Sequence, residues 1–249
     1  TFGLVGTDAE VIQGIAVGGV GLDAEELKGV GIGGVGLGAG DITGIAIGGL
    51  GIGGNDITGI AIGGLGVGAE DVQGVVMGGL GVGGHNITGL ALGGLGVGAH
   101  DVQGVAMGGL GVGANNMDGL ALGGLGVGGK NLKGIFIGGL GVGCESVTGL
   151  AIGGLGVGAH DLTGVMIGGA GVGGEDLTGL ALSLGYLKAD GRFTGLGTGA
   201  YTHAKHAKGL MIGILNRADV LEGVQIGVLN YAGNNPSGLQ WVPGINMHF

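Results

Sequence analysis

The stretch Gly59-Ile-Ala-Ile-Gly-Gly-Leu-Gly-Val-Gly-Ala-Glu-Asp-Val-Gln73 is followed directly by Gly74-Val-Val-Met-Gly-Gly-Leu-Gly-Val-Gly-Gly-His-Asn-Ile-Thr88, which repeats it position by position. The leading glycine recurs every fifteen residues across twelve units without an insertion, from Gly14 to Gly179. Such a period indicates a repeat architecture, in which neighbouring units stack to bury a common core. We therefore interpret 1–249 as a single repeat array. Residues 2–186 are regular repeats, and 187–249 are irregular repeats that could form a C-terminal cap.

The composition excludes several classes of protein. Glycine accounts for 75 of 249 residues, but two prolines are too few for collagen. A hydrophobic content of 45% excludes a solvated disordered linker, and a formal net charge of −10 excludes a groove that neutralises nucleic-acid phosphates. The single cysteine, Cys144, rules out an internal disulfide framework.

Large and small residues alternate within each unit, which is typical of β-strands. A helix is disfavoured because each interior glycine costs about 1 kcal/mol. The double glycine Gly48-Gly49 shifts the alternation by one residue, as a bulge or a corner does. Polar groups such as Asn55-Asp56 then close the unit as a turn. Two all-β architectures fit this pattern.

The favoured architecture is a β-solenoid in which each fifteen-residue unit forms one coil and Gly and Ala cover the outer faces. Because stacked coils bury their large side chains, the pattern predicts a core at Ile45, Ile47, Leu50, Ile52, Leu95 and Val97. The small residues would then form a flat outer face suited to self-association, at Gly51, Gly66, Gly81 and Gly96.

The alternative is an up-and-down β-barrel of the outer membrane, with one strand in each unit and a membrane as its partner. Gly44 to Gly54 has about the 9–11 residues that span a bilayer as a tilted strand, and the chain ends in an alternating segment with a terminal Phe249. Three Tyr and one Trp are too few for the aromatic girdles of such barrels, which favours the solenoid.

The C-terminal quarter resembles a known family. Gly209-Leu-Met-Ile-Gly-Ile-Leu-Asn216 and Gly223-Val-Gln-Ile-Gly-Val-Leu-Asn-Tyr-Ala232 are similar to the repeats of bacterial exported "surface repeat" proteins, and the segment from Gly238 to Phe249 resembles their terminal segment. The match is good over about forty residues. Over the rest of the chain only the spacing of equivalent positions agrees, because Gly stands where the family has Gln and Asn. The resemblance implies export to the cell surface and implies no catalytic or binding residues.

Few side chains in the repeats are suited to chemistry. His85 and His100 are fifteen residues apart, with Asp101 adjacent, so stacked coils could bring these three residues together as metal ligands. The same column also holds Asn, Glu and Lys, which is typical of a solvated turn. No set of nucleophile, base and acid stands out, so the sequence predicts no enzyme, no cofactor and no catalytic residue.

The sequence thus predicts a non-catalytic structural protein, extracellular or on a bacterial cell surface, that self-associates into filaments or sheets. An outer-membrane pore is the alternative function. Thr1-Phe-Gly-Leu4 is already in phase with the repeat, so we expect a mature chain without its signal peptide. We also expect an open N-terminal edge that pairs with another copy or with another protein, because no segment of different pattern shields it.

Overall fold

The computed structural model describes residues 2–3 and 6–249. The predicted open edge at the N-terminal repeat falls partly on Thr1, Leu4 and Val5, which lie outside the described residues. Backbone contacts divide the chain into two compact units, unit 1 at 1–124 and unit 2 at 125–249.

Strands make up nearly all of both units. Those of unit 1 are β1 (Phe2–Gly3), β2 (Gly6–Gly18), β3 (Gly21–Gly33), β4 (Gly36–Gly48), β5 (Gly51–Gly63), β6 (Gly66–Gly78), β7 (Gly81–Gly93), β8 (Gly96–Gly108) and β9 (Gly111–Gly123). Those of unit 2 are β10 (Gly126–Gly138), β11 (Gly141–Gly153), β12 (Gly156–Gly168), β13 (Gly171–Gly174), β14 (Asp176–Ser183), β15 (Tyr186–Ala232) and β16 (Trp241–His248).

Within each unit, each strand of a regular repeat pairs in parallel with the equivalent strand of the next. Ile45 faces Ile60 and Ile60 faces Val75, so residues fifteen apart form columns across successive coils. The fold is therefore a β-solenoid, which confirms the favoured architecture. The alternative of an up-and-down barrel is wrong, because neighbouring strands of such a barrel are antiparallel.

Three interruptions divide each coil into three straight sides. In the coil that begins at Gly44 the chain bends at Gly49-Leu50, Asn55 is skipped in the pairing register, and the next coil begins at Gly59 with a φ of +130°. We name the sides by their outward residues. The apolar side comprises the columns of Ile45 and Ile47 with the adjoining corner column of Leu50. The glycine side comprises the columns of Gly51 and Gly53, and the polar side comprises those of Asp56 and Thr58.

The core of each regular coil consists of one column from each side. In unit 1 nearly every member of these columns is at most 4% exposed. The polar side contributes Ile12, Leu27, Ile42, Ile57, Val72, Ile87, Val102 and Met117, and the glycine side contributes Leu22, Leu37, Ile52, Val67, Val82, Val97 and Val112. The apolar side contributes Ala16, Ala46, Ala61, Val76, Ala91, Ala106 and Ala121. The columns from the polar and glycine sides are mostly large, and the third column is mostly alanine in unit 1, whereas in unit 2 it also holds the buried Phe136 and Met166.

The predicted core is correct at two positions and wrong at four. Ile52 and Val97 are buried, at 4% and 3% exposure. The wrong positions all lie on the apolar side, where the side chains of Ile45, Ile47, Leu50 and Leu95 are 37%, 37%, 50% and 49% exposed. Ala46 and Gly48 point inward in place of Ile45 and Ile47, because a shift of one residue exchanges the two faces of a strand.

The C-terminal coils of unit 2 have a shorter period and end in a strand of opposite direction. Glycines with positive φ recur fourteen residues apart at Gly195, Gly209 and Gly223 within β15. The strand β16 then folds back and pairs antiparallel with β15, from Gly223 opposite His248 to Tyr231 opposite Trp241. The backbone of β15 at these residues is thereby hydrogen-bonded by β16.

Candidate functional site

The candidate metal ligands His85 and His100 lie at the corner between the glycine and polar sides, and Asp101 lies in the column of Asp56 on the polar side. The rings of His85 and His100 stack with centroids 4.7 Å apart and planes 8° from parallel. Asn115 Nδ2 lies 2.8 Å from His100 Nδ1, and Asn116 Nδ2 donates to Asp101 Oδ1 at 2.6 Å. Nitrogens of stacked rings lie in parallel planes and do not converge on one ion. Within residues 2–3 and 6–249, no three His, Cys, Asp or Glu side chains are grouped so that they could hold a metal ion.

The polar side of unit 1 is acidic. Asp41, Asp56 and Asp71 occupy successive positions of one column, and all three are exposed. Where asparagine takes the next position it bonds to its neighbour, as Asn86 Nδ2 does by donating to Asp71 Oδ1 at 2.6 Å. Residues 1–124 contain eleven acidic residues and one lysine, whereas 125–249 contain seven of each sign. The net charge of −10 therefore belongs to unit 1.

The residues predicted for self-association lie on the glycine side. Gly51, Gly66, Gly81 and Gly96 are half-buried, and a Cβ at Gly96 would lie 3.2 Å from the carbonyl oxygen of Gly111. The neighbouring column is more open, since a Cβ at Gly68 or Gly98 would meet no atom within 4 Å. This side is thus bare backbone, and whether it contacts another copy stays a prediction.

A tyrosine covers the glycine side in unit 2. Tyr186 is the register partner of Gly171, and three of its ring carbons lie 2.3–2.6 Å from where a Cβ of Gly171 would be. The ring therefore lies against the backbone at a place that only glycine leaves free. Tyr186 remains 50% exposed.

The apolar side is a continuous exposed hydrophobic surface that the sequence analysis missed. From residue 15 to residue 122 its columns contain only Ile, Val, Leu and Met: Ile15, Val30, Ile45, Ile60, Val75, Leu90, Val105 and Leu120; Val17, Ile32, Ile47, Ile62, Met77, Leu92, Met107 and Leu122; Val20, Val35, Leu50, Leu65, Leu80, Leu95 and Leu110. Thirteen of these residues are between 37% and 61% exposed, and the others are half-buried. The signal in the sequence is a set of columns without a polar residue, which is equally typical of a buried core.

Cationic residues cluster in the irregular coils of unit 2. Five of the eight Lys and Arg residues lie within 188–217, and Arg217 stacks with its guanidinium carbon 5.6 Å from the ring centre of Tyr231. Several are paired, as Lys188 Nζ with Asp190 at 2.9 Å. His203 lies in the same coils, where burial is the main cause that lowers its pKa below the ordinary value.

Cys144 has the surroundings of an inert thiol. Its side chain is half-buried in β11, and burial raises the pKa of the thiol to about 11. Since the thiolate is the reactive form, Cys144 is poorly nucleophilic at neutral pH.

Comparison with known proteins gave no match: no family model fits the chain, and no curated protein or solved structure resembles it significantly. The part of the chain that the structure describes has no helix long and apolar enough to cross a membrane.

Proposed function

We propose that this chain is a non-catalytic structural protein of the cell exterior that self-associates into filaments or sheets. The observation that supports the proposal is the apolar side of unit 1, where three adjoining columns of large aliphatic side chains reach solvent in coil after coil. Monomeric soluble proteins rarely expose apolar patches larger than about 300–600 Å². A repeated patch of this kind is suited to a repeated contact.

The proposed location at a bacterial cell surface is supported by the resemblance of 209–249 to exported surface repeats. The regular coils add a physical reason for a structural role. Their residues are mostly aliphatic or glycine, and within each unit every regular coil presents the same three sides as its neighbours. A surface that repeats in this way favours extended contacts over binding at one specialised pocket.

The test is the assembly state of the full chain in detergent-free buffer. Sedimentation velocity over a hundredfold range of concentration should show species that grow with concentration, and electron microscopy of the same material should show filaments or sheets. A single monomeric species across the whole range, with featureless grids, would overturn the proposed function.

A further inference from the structure

We infer that the apolar side of unit 1 docks face to face against the apolar side of unit 1 in a second copy. The inference rests on the proposed self-association and names its contact surface, which differs from the glycine side that the sequence analysis had predicted. Two sheets packed in this way lie about 10 Å apart with interdigitated side chains, as in a β-sandwich.

The exposed area is large enough for a stable contact. Fully burying a large aliphatic side chain removes roughly 100 Å² of apolar surface from water. Between residues 15 and 122 the apolar side has 23 such residues, thirteen of which are at least 37% exposed. The exposed surface is thus on the order of 1,000 Å², compared with about 800 Å² for each partner in a standard interface.

The chemistry of the surface also fits a second copy. None of the 23 residues carries a charge or a hydrogen-bonding side chain, so contact leaves no side-chain polar group unpaired. Parallel coils repeat about every 4.8 Å in each copy, so a register that fits at one coil fits at the next. Leu50, Leu65, Leu80, Leu95 and Leu110 of one copy would then pack along the grooves between coils of the other.

The charge of unit 1 favours a second copy over a lipid surface. Segments that lie on membranes place Lys and Arg beside their apolar face, where they attract anionic lipids. Unit 1 has one lysine and eleven acidic residues. That lysine, Lys28, is paired with Glu26, so anionic lipid would be repelled.

The experiment compares three double variants of the full chain, each with two added lysines. Leu65→Lys with Leu80→Lys alters the apolar side at residues that are 48% and 49% exposed, so the monomer should fold. Thr58→Lys with Thr88→Lys is the matched control on the polar side, and Gly68→Lys with Gly98→Lys tests the glycine side at positions with free space. Sedimentation velocity gives the dissociation constant, and circular dichroism checks the fold.

We expect the apolar-side variant to raise the dissociation constant at least a hundredfold, while the other two variants associate within about threefold of the parent. If the lysines disturb folding, Leu65→Gln with Leu80→Gln takes the place of the lysine variant, and it should raise the dissociation constant at least tenfold. This inference is overturned if the apolar-side variant associates like the parent, or if only the glycine-side variant loses association. Either result leaves the proposed function standing. A monomeric parent overturns both.

The lipid alternative has its own outcome. Flotation with vesicles of phosphatidylcholine and phosphatidylglycerol should leave the parent unbound. The inference is overturned if the parent floats with the vesicles, loses this binding on Leu65→Lys with Leu80→Lys, and is monomeric in buffer. That result would assign the apolar side to lipid.

Discussion

At the scale of single residues, the corner glycine that begins each coil has little freedom to change. Gly59 has a φ of +130°, and a Cβ there would lie 2.1 Å from the carbonyl oxygen of Gly44 in the preceding coil. A left-handed backbone costs a non-glycine residue about 1–3 kcal/mol, and the contact with backbone adds to that cost. Gly59→Ala should therefore lower the free energy of unfolding in urea by at least about 2 kcal/mol.

Gly68→Ala is the control for this substitution, because its Cβ would meet no atom within 4 Å and its φ lies outside the positive range. It should change stability by less than about 1 kcal/mol, in either direction. An equal loss for the two variants would show that the corner geometry does not require glycine.

A second pair of substitutions tests the inward and outward columns. Ile57 is 1% exposed, whereas Leu95 is 49% exposed on the apolar side. Truncation of a buried Ile leaves a cavity, so Ile57→Ala should cost about 2–5 kcal/mol in urea unfolding at monomer concentration. Leu95→Ala should cost less than about 1 kcal/mol under the same conditions, and a larger cost than that of Ile57→Ala would place Leu95 in the core.

The same residues show what the sequence could and could not predict. The unbroken fifteen-residue period predicts parallel stacking of equivalent positions, and this is observed. Alternation alone does not say which set of residues faces inward, and size suggested Ile45 and Ile47. The inward position of Gly48 has no space for a larger residue, because a Cβ there would lie 2.1 Å from the carbonyl oxygen of Gly51. Such a close approach at a corner depends on three-dimensional packing that no single repeat shows.

At the scale of elements, a chain of buried amides ties the last coils to β16. Thr202 Oγ1 donates to Asn216 Oδ1, and Asn216 Nδ2 donates to Asn230 Oδ1 at 2.7 Å. Asn230 Nδ2 in turn donates to the carbonyl oxygens of Val242 at 3.2 Å and Gly244 at 3.0 Å. Asn216 and Asn230 are fully buried, so each bond lost leaves a polar group without water.

Asn230→Ala should therefore loosen β16 from β15. Each buried partner left unpaired costs about 1–3 kcal/mol, and the variant removes an acceptor from Asn216 and a donor from two carbonyls. We expect faster amide hydrogen exchange over 241–248 and an earlier urea transition in the fluorescence of Trp241, the only tryptophan. Asn55→Ala, at an exposed corner, is the control and should leave both signals unchanged.

The role of β16 could be predicted only in part. The irregular pattern of 187–249 predicts a possible cap, and β16 pairs with the last coil. Its antiparallel direction and the link through Asn216 and Asn230 depend on residues fourteen apart on neighbouring coils, joined by carbonyls of another strand. The fourteen-residue spacing predicts that Asn216 and Asn230 share a column, but it does not predict which groups they bond to.

At the scale of the whole molecule, the charge asymmetry predicts how self-association depends on salt. Unit 1 carries all of the net charge of −10, whereas its apolar side has no charged residue. Two copies that meet through unit 1 must bring like charges together, and this repulsion is screened over about 30 Å at 0.01 M salt, 10 Å at 0.1 M and 3 Å at 1 M. The apolar contact itself does not depend on such screening.

The dissociation constant should therefore fall as sodium chloride is raised from 0.01 M to 1 M, as measured by sedimentation velocity. Chloride is preferred to sulfate, because sulfate strengthens apolar burial in any protein. Asp56→Asn with Asp71→Asn removes two charges from the polar side and should flatten the dependence without abolishing association. If instead unit 1 of one copy bound the cationic residues of 188–217 in another copy, association would weaken with salt. A dissociation constant that rises with ionic strength would therefore contradict docking through the apolar side.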